Sequence, residues 1–555
     1  MPSFSQVLDY LKVPTKLGNE RNYWINDDVR PLPPSRRTWD SLTFFSFQAI
    51  NQIAISNWQI GSSLVATGLS VWQTIVAVIL GKIIIAAVQV FGGWIGAEWH
   101  VGYPVIARLL WGIYGSFFAV AQRQLLSLVW FALQSWFGGL FTTAVLSSVF
   151  PQFHYMKNTM PASTHMTTAQ FVGWVVFLLI SLPVMYLPPE KTKKPFAVMN
   201  TIAFVTLVAI MIWALVAAGG AGPLVSASAT VSNAELAWAI IRGVTTTVGG
   251  IAAALTNASD WSRFARRPGD QVTGQWTAII SLGTIMPLFG CLTTSATVKI
   301  YGTPLWNPAD IILRWLQTDY SSGSRAAAFF AGAGMITSQL AINTVDNAFS
   351  LGMDLSGIFP TYVNIRRGGY IGLIVSCALC PWYLLSSAST FVTVLSSYSL
   401  FLAPMMGIQI CDYWIVRKRK IELSQLYTAD RDGSYYYWHG VNWRTVVAWV
   451  LGWAPQFPGF LASVAPRLRV TAGAKHLYDM AFVVGFLISV LVYYGLVWAW
   501  PPKGLGAMDA TDIYGTFTAY EGERLGVQQV IEGQGQDLGA EKELKRSSDA
   551  SVTKA

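Results

Sequence analysis

Charge is what this chain has least of. Only 12% of its 555 residues are charged, against about a quarter in soluble globular proteins, and a soluble enzyme of this length would need charge spread throughout. Histidine and cysteine are scarce as well. The five histidines, His100, His154, His165, His439 and His476, stand singly in or near loops. Catalysis by a nucleophile and base, or by a metal, needs such groups clustered, and no catalytic set is legible, so an enzyme is not expected. Among the four cysteines, Cys377 and Cys380 have the spacing of a redox or zinc motif, but they sit in an apolar run beside Pro381 with no second ligand pair. All four read as small packing residues, and neither metal nor cofactor is expected. A cleavable signal peptide is also missing from residues 1–38, which are polar, charged and proline-rich, so the first span is expected to serve as its own insertion signal.

What is abundant is apolar sequence, 53% of the chain. Crossing the hydrocarbon core takes about 20 apolar residues, and about twelve runs of that order occur. They extend over Leu42 to Leu69, Trp72 to Ala97, Pro104 to Gly138, Thr168 to Leu187, Phe196 to Ala218, Trp238 to Ala258, Gln271 to Lys299, Ala326 to Leu355, Tyr370 to Leu385, Thr390 to Val416, Trp443 to Ala465 and Leu477 to Trp500. The expected fold class is therefore an all-α polytopic membrane protein.

A net charge of +9 and a pI near 9.2 raise the question of nucleic acid, which would require a continuous basic surface. Instead Lys191, Lys193 and Lys194, Arg263, Arg266 and Arg267, Arg366 and Arg367, and Arg417 to Lys420 all lie just beyond apolar runs. That placement follows the positive-inside rule and makes both termini cytoplasmic; the opposite loops hold little, Lys157, Lys299, Arg314 and Arg325, and one loop, with Arg467, Arg469 and Lys475, disagrees. The expected organisation is a cytoplasmic segment (1–38), a transport core (39–416), a cytoplasmic loop (417–442), two further spans (443–500) and a disordered cytoplasmic tail (501–555). The tail has mixed charge and too little apolar surface to fold alone, and its Lys542 and Lys545 are candidate contacts for turnover machinery.

Polar residues inside spans are costly and need a partner or a purpose. Span one carries Asn51, Gln52, Ser56, Asn57, Gln59, Gly61, Ser62 and Ser63, and span six carries Thr245, Thr246, Thr247, Gly249, Gly250, Thr256 and Asn257. Two such segments five spans apart match a pair of interrupted helices whose freed backbone groups bind ions and polar ligands at mid-membrane, where inverted repeats meet. Trp130 and Gln134, four apart in span three, share a helical face and suit a planar heterocycle, the indole stacking and the amide reading the ring edge. Asn343 and Asn347 share a face of span eight, with Asp346 the clearest ionisable residue inside any span. Its carboxylate suits proton coupling, balance of a cationic substrate, or a structural hydrogen bond. A channel would need a polar lining repeated around an axis, which two broken helices do not provide. A receptor that senses without transporting has the same residues.

Several strings carry a family resemblance: Asn26-Asp-Asp-Val-Arg-Pro-Leu-Pro-Pro-Ser-Arg-Arg-Thr-Trp39, Arg123 to Gly139, Ser259-Asp-Trp-Ser-Arg-Phe-Ala265, Met353 to Gly368 and Ile410 to Arg419. In this order they resemble the nucleobase–cation symporters of family one, especially the fungal uracil/allantoin permease branch. The resemblance implies a LeuT-type fold, two inverted five-helix repeats (about 39–218 and 238–416) plus two C-terminal helices, working by alternating access at the plasma membrane. It implies that Trp130 stacks on the substrate ring, that Gln134, Asn343 and Asn347 bind its edge, and that Gly250 joins them. Asn51, Ala54, Ser338 and Asp346 form the implied coupling-ion set. Asp27 and Asp28 belong to an amino-terminal stretch implied to lie against the inner gate, pairing with basic residues such as Lys193 or Arg267. One departure matters. The sodium-coupled bacterial hydantoin relative has a Ser-Thr pair where this chain has Ala341-Ile342, and a hard cation needs several oxygen ligands, so a proton rather than sodium is the expected coupling ion. That relative's second stacking tryptophan is Ile251 here, which makes one-sided stacking the expectation. The expected substrate is a nucleobase or related ring of the uracil, allantoin or uric acid class; the alternative is a vitamin-type ring such as thiamine, nicotinamide riboside or pyridoxine.

Overall fold

The computed structural model describes residue 10 and residues 12–13, 23–187, 192–226, 232–465 and 467–529. Several of its helices open where an apolar run follows a capping side chain. Span one is two helices, α1 (Ser41–Gln52) and α2 (Ile55–Ala66), and Asp40 caps α1 by accepting from the Thr43 amide. Span two is α3 (Val71–Trp99), opened by a reciprocal Ser70–Gln73 capping box. A short α4 (Tyr103–Trp111) precedes α5 (Gly115–Val149), the third span. Spans four and five are α6 (Thr168–Met185) and α7 (Lys193–Ala218). Span six is broken into α8 (Asn233–Gly249), α9 (Ala252–Thr256) and α10 (Ala258–Ser262). Then come α11 (Asp270–Tyr301), a hairpin helix α12 (Pro308–Thr318) and α13 (Ser322–Ile342). A π-helical turn, Asn343–Phe349, joins α13 to α14 (Ser350–Ile358). The remainder is α15 (Ile365–Cys377), α16 (Ala388–Ile410), α17 (Trp443–Trp453), α18 (Phe457–Val464), α19 (Ala472–Asp479) and α20 (Ala481–Ala499).

Among the described residues eight helical stretches are long and apolar enough to cross a membrane. The other four expected spans, one, six, nine and eleven, are interrupted or short, which is why length alone does not find them. The long α11 packs along α1, α2 and α3, α5 packs on α6 and α13, and α8 packs on α3 and α16. The two broken spans thus sit between the long helices, where freed backbone groups face protein rather than lipid.

Two expectations need correction. The third span does not begin at Pro104: α4 ends at Gly112, whose φ of 88° lies in the region that favours glycine, and α5 starts afresh at Gly115. The tail is not wholly without structure either. Thr511–Asp512 (β1) pairs in parallel with Gln528–Gln529 (β2), and between them α21 (Ala519–Leu525) is capped by Thr518. Composition misjudged this stretch because it is stabilised from outside itself. Phe517 is buried edge-on to Trp99, with ring centroids 5.7 Å apart. The Arg37 guanidinium meets Glu521 at 2.8 Å, and Asp509 accepts from the Ser424 amide at 2.8 Å. Lys542 and Lys545 lie outside the described residues. The Arg37–Glu521 pair also brings the N-terminal segment and the tail to one face of the molecule, called here the terminal face.

Candidate functional site

The chain breaks span one at Ile53–Ala54. Ala54 is extended (φ −75°, ψ 152°), and α2 restarts one residue later. The Asn57 amide bridges the break from within, donating to the carbonyls of Asn51 at 3.2 Å and Gln52 at 3.0 Å. Span six breaks after Gly249, where there is no room for a side chain: a Cβ at that position would stand 1.9 Å from the Leu395 carbonyl oxygen. The π-helical turn widens α13 just where the sequence places its asparagines and aspartate, a distortion frequent at functional sites.

These three irregularities and α5 enclose one cavity. Its wall comprises Asn51, Ser56 and Asn57 from span one, Ser127, Trp130 and Gln134 from α5, Gly250, Ile251, Ala254 and Asn257 from span six, and Ile342, Asp346 and Asn347 from span eight. Ser127, Trp130 and Gln134 follow one another along a single face of α5. Trp130 is only 6% exposed and is braced by Tyr398, 5.9 Å away between ring centroids. Gln134 reaches Ser56 Oγ with its NH2 group at 3.5 Å, and its Oε1 is buried without a hydrogen-bond partner. Asn257 holds Ser350 Oγ at 3.0 Å, while its Oδ1 is likewise unpartnered. A wall offering one flat indole and two unmet amide oxygens is prepared for a planar ligand that brings its own N–H donors.

The structure thus gathers Trp130, Gln134, Gly250, Asn51, Asp346 and Asn347 at one cavity. Asn343 is not part of its wall; it stands behind Asn347, accepting that residue's amide at 2.7 Å, and so orients it. Ala54 and Ser338 are buried but do not reach the wall. The Asn51 amide lies against the Asp346 carboxylate in the orientation that lets its NH2 donate. Asp28 is not near the cavity. Its carbonyl accepts from Arg263 at 2.9 Å and its carboxylate from the Ile365 amide at 3.4 Å, so the partner is Arg263 where Arg267 was expected; the Lys193 side chain lies outside those described. Burial pushes the Asp28 carboxyl up, with Arg263 opposing. Asp27 sits beside it in the same segment.

Between cavity and terminal face lies a layer of ionic contacts that residue-by-residue reading missed. Arg123 lies two helical turns from Trp130, roughly 10 Å along α5. It is fully buried, bonds Asp260 at 2.8 Å and Asp354 at 2.9 Å, and stacks its guanidinium over Tyr103 at 4.1 Å. The layer ties α5 to α10 and α14. Below it Trp39 stacks on Trp261 and Phe264, at 6.0 Å and 5.5 Å. All of these residues except Tyr103 lie within the motif strings, but their pairing spans helices and only the fold reveals it. Lys82 was missed too, although a lysine between Gly81 and Ile83 in an apolar run is a signal the sequence does carry. Asp346 is therefore not the sole ionisable group in the spans.

A family profile, "Permease for cytosine/purines, uracil, thiamine, allantoin", matches residues 31–485. The transporter aclS of Aspergillus oryzae is 47% identical, covering 91% of this chain and 91% of that protein. Nicotinamide riboside transporter 1 of Saccharomyces cerevisiae is 33% identical, covering 94% and 87%, and the allantoin permease of the same yeast is 31% identical, covering 90% and 79%. Among solved structures, Mhp1, a nucleobase-cation-symport-1 family transporter closed around bromovinylhydantoin, superimposes with a TM-score of 0.65 at 21% identity, covering 90% of this chain and 99% of that one. Its inward-facing conformation gives 0.67 at 21% identity, covering 92% and 99%. A sodium-coupled sialic acid symporter gives 0.51 at 13% identity, covering 84% and 92%. These likenesses show the fold.

Proposed function

The chain belongs to the family of permeases for cytosine/purines, uracil, thiamine and allantoin, and from that premise we propose that it carries a planar heterocycle of the uracil, allantoin or uric acid class inward across the plasma membrane together with a proton, its termini in the cytoplasm. It is a multi-pass membrane transporter and not an enzyme. The observation that carries the substrate reading is the meeting of Trp130, Gln134 and Asn347 at the cavity between the two broken spans. An indole face accepts any flat ring, and the amides select ring edges bearing both N–H and C=O groups.

Transport by alternating access follows from the layering. Substrate bound at the cavity is sealed from the terminal face by Arg123, Asp260 and Asp354. Release on that side requires α10 and α14 to part from α5, and breaking a buried ion pair without replacement costs about 3–5 kcal/mol, so water must enter as the helices separate. Sodium is disfavoured because Ala341 and Ile342 offer no side-chain oxygen. A proton is favoured in its place because the spans bury ionisable side chains, Lys82 on the amides of span one and Asp346 on the wall.

Asp346 also favours a second reading, a cationic ring of the thiamine or nicotinamide riboside kind, because a carboxylate in low dielectric pairs strongly with positive charge. Uptake of radiolabelled uracil in competition with unlabelled pyrimidines, purines, allantoin and vitamins separates the two. Competition by uncharged rings alone, retained in Asp346→Asn at clamped pH, supports the first reading; competition by cationic rings alone, lost in Asp346→Asn, overturns it in favour of the second.

A further inference from the structure

Lys82 lies eleven residues into α3, roughly 17 Å from its start and hence near the middle of a bilayer core about 30 Å thick. Its exposure is 0%. A buried ammonium is ordinarily met by a carboxylate, yet among the described residues no ion pair includes Lys82. Its Nζ instead donates to Asn57 Oδ1 at 2.6 Å and to Gln52 Oε1 at 3.0 Å, the two amides that flank the break in span one. From α11 Gly283 packs on it, where a Cβ would stand 2.9 Å from Lys82 Cδ and 2.7 Å from Gln52 Oε1. Beside Lys82 in the chain, Gly81 packs against Thr247 of α8. Gly283 makes the chamber for the lysine chain.

We propose that Lys82 is the proton-carrying group of the coupled cycle, its amine seated on the two amides that flank the broken span; the proposal rests on the proton-symport reading above. Three features of the chamber fit that role. Asn57 touches Lys82 with its oxygen on one side and lines the substrate cavity on the other, so one amide senses both ligand and amine. The two acceptors, Asn57 Oδ1 and Gln52 Oε1, match the two N–H bonds of a neutral amine and leave the third N–H of an ammonium unmet, so the chamber favours release of the proton. Finally, the Asn57 amide bonds the Asn51 carbonyl, and the Asn51 side chain bonds Asp346, so the nearest linked carboxylate faces the cavity and lies across the break. When the halves of span one shift apart and water enters from the terminal face, an N–H bond of the ammonium breaks, its electron pair stays on nitrogen, and the proton passes to water; a proton from the opposite side restores the ammonium before the next loading.

The test uses purified full-length protein in liposomes and radiolabelled uracil, allantoin, uridine and nicotinamide riboside, with whichever ring the wild type takes up used for every variant. Two readouts are compared: accumulation driven by an imposed pH gradient, and counterflow exchange, which needs binding and alternating access but no net proton movement. Lys82→Met and Lys82→Gln are expected to keep counterflow near the wild-type rate while losing gradient-driven accumulation and the pH dependence of uptake. Accumulation by both variants at the wild-type level overturns the assignment. So does loss of counterflow or of folding in both, because that places Lys82 in the scaffold alone. A wild type that accumulates on a sodium gradient and ignores a pH gradient overturns the symport reading itself, and this inference with it.

Discussion

The cavity turns on a few side chains whose neighbours hold them in place. Trp130 is fixed by Tyr398 and by its position on the rigid α5, so it presents an indole face without losing further freedom on binding. Stacking of a base on an aromatic ring is worth about 1–3 kcal/mol by alanine substitution. Trp130→Ala is therefore expected to raise the KM for uptake by about five- to a hundred-and-fiftyfold, with surface expression unchanged on a membrane blot; an unaltered KM would place the ring elsewhere. Gln134 and Asn347 act through hydrogen bonds worth roughly 0.5–1.5 kcal/mol each, so their alanine variants are expected to weaken uptake less than Trp130→Ala and to change the order of preference among competing rings. Asn343 orients Asn347 rather than touching the cavity. Its alanine variant should follow Asn347→Ala in specificity and show no additivity with it in the double variant. Trp130 and Gln134 were legible because they stand one turn apart on one helix. Ser56 and Asn257 were read only as members of the polar clusters, and Ser127 not at all, because their value lies in facing one another from three different spans.

At the scale of elements, the break in span six is made by close approach rather than by unusual dihedral angles. Gly249 and Gly250 both stand at helical φ values, and their role is to let α8 and the following turn lie directly on α16 and α2. The two glycines differ in what a methyl group would strike. At Gly249 it meets a backbone carbonyl at 1.9 Å, which cannot yield without moving α16; at Gly250 it meets the end of the Ile60 side chain at 2.7 Å, which can rotate away. Overpacking typically costs about 1–3 kcal/mol. Gly249→Ala is expected to lose transport and most surface protein, and Gly250→Ala to keep both with an altered KM. Equal behaviour of the two in uptake and surface labelling would contradict this account. The sequence marked both breaks through clusters of polar residues and glycine. It could not separate α4 from α5, since an apolar run continues across Gly112 and only the left-handed turn there divides it.

For the whole molecule, the tail joins the terminal face through a cluster that responds to pH. Burial holds the His100 imidazole below its ordinary value of 6.5, with Arg37 adding to this and Glu521 opposing it. The Glu521 carboxyl is held down at about 2 against an ordinary 4.5; burial opposes this, and hydrogen bonds from His100, Thr518 and Arg37 outweigh it. Undocked, the carboxylate takes a proton as pH falls through 4.5, whereas docked it resists, so its contribution to docking is complete above 4.5 and is lost between 4.5 and 2. Amide hydrogen exchange in residues 511–527 should therefore be slow at neutral pH and quicken, after correction for intrinsic rates, as the medium is acidified below 4.5. Glu521→Gln should quicken it already at neutral pH, and identical protection in both proteins would exclude the cluster as the anchor.

Composition and periodicity by themselves determined that this chain lives in lipid, that its helices are long, and that two of them are interrupted, because low charge, 20-residue apolar runs and misplaced polar residues are properties of a segment and survive in one dimension. The ordered motif strings pointed to the family before any coordinates. Tertiary structure alone decided that Arg123 is neutralised by Asp260 and Asp354, that the tail folds against Trp99 and Arg37, and that Lys82 rests on the amides of a broken helix. Each of these is a pairing between residues tens to hundreds of positions apart, and the energy that makes it favourable exists only once the intervening helices have brought the partners together away from water.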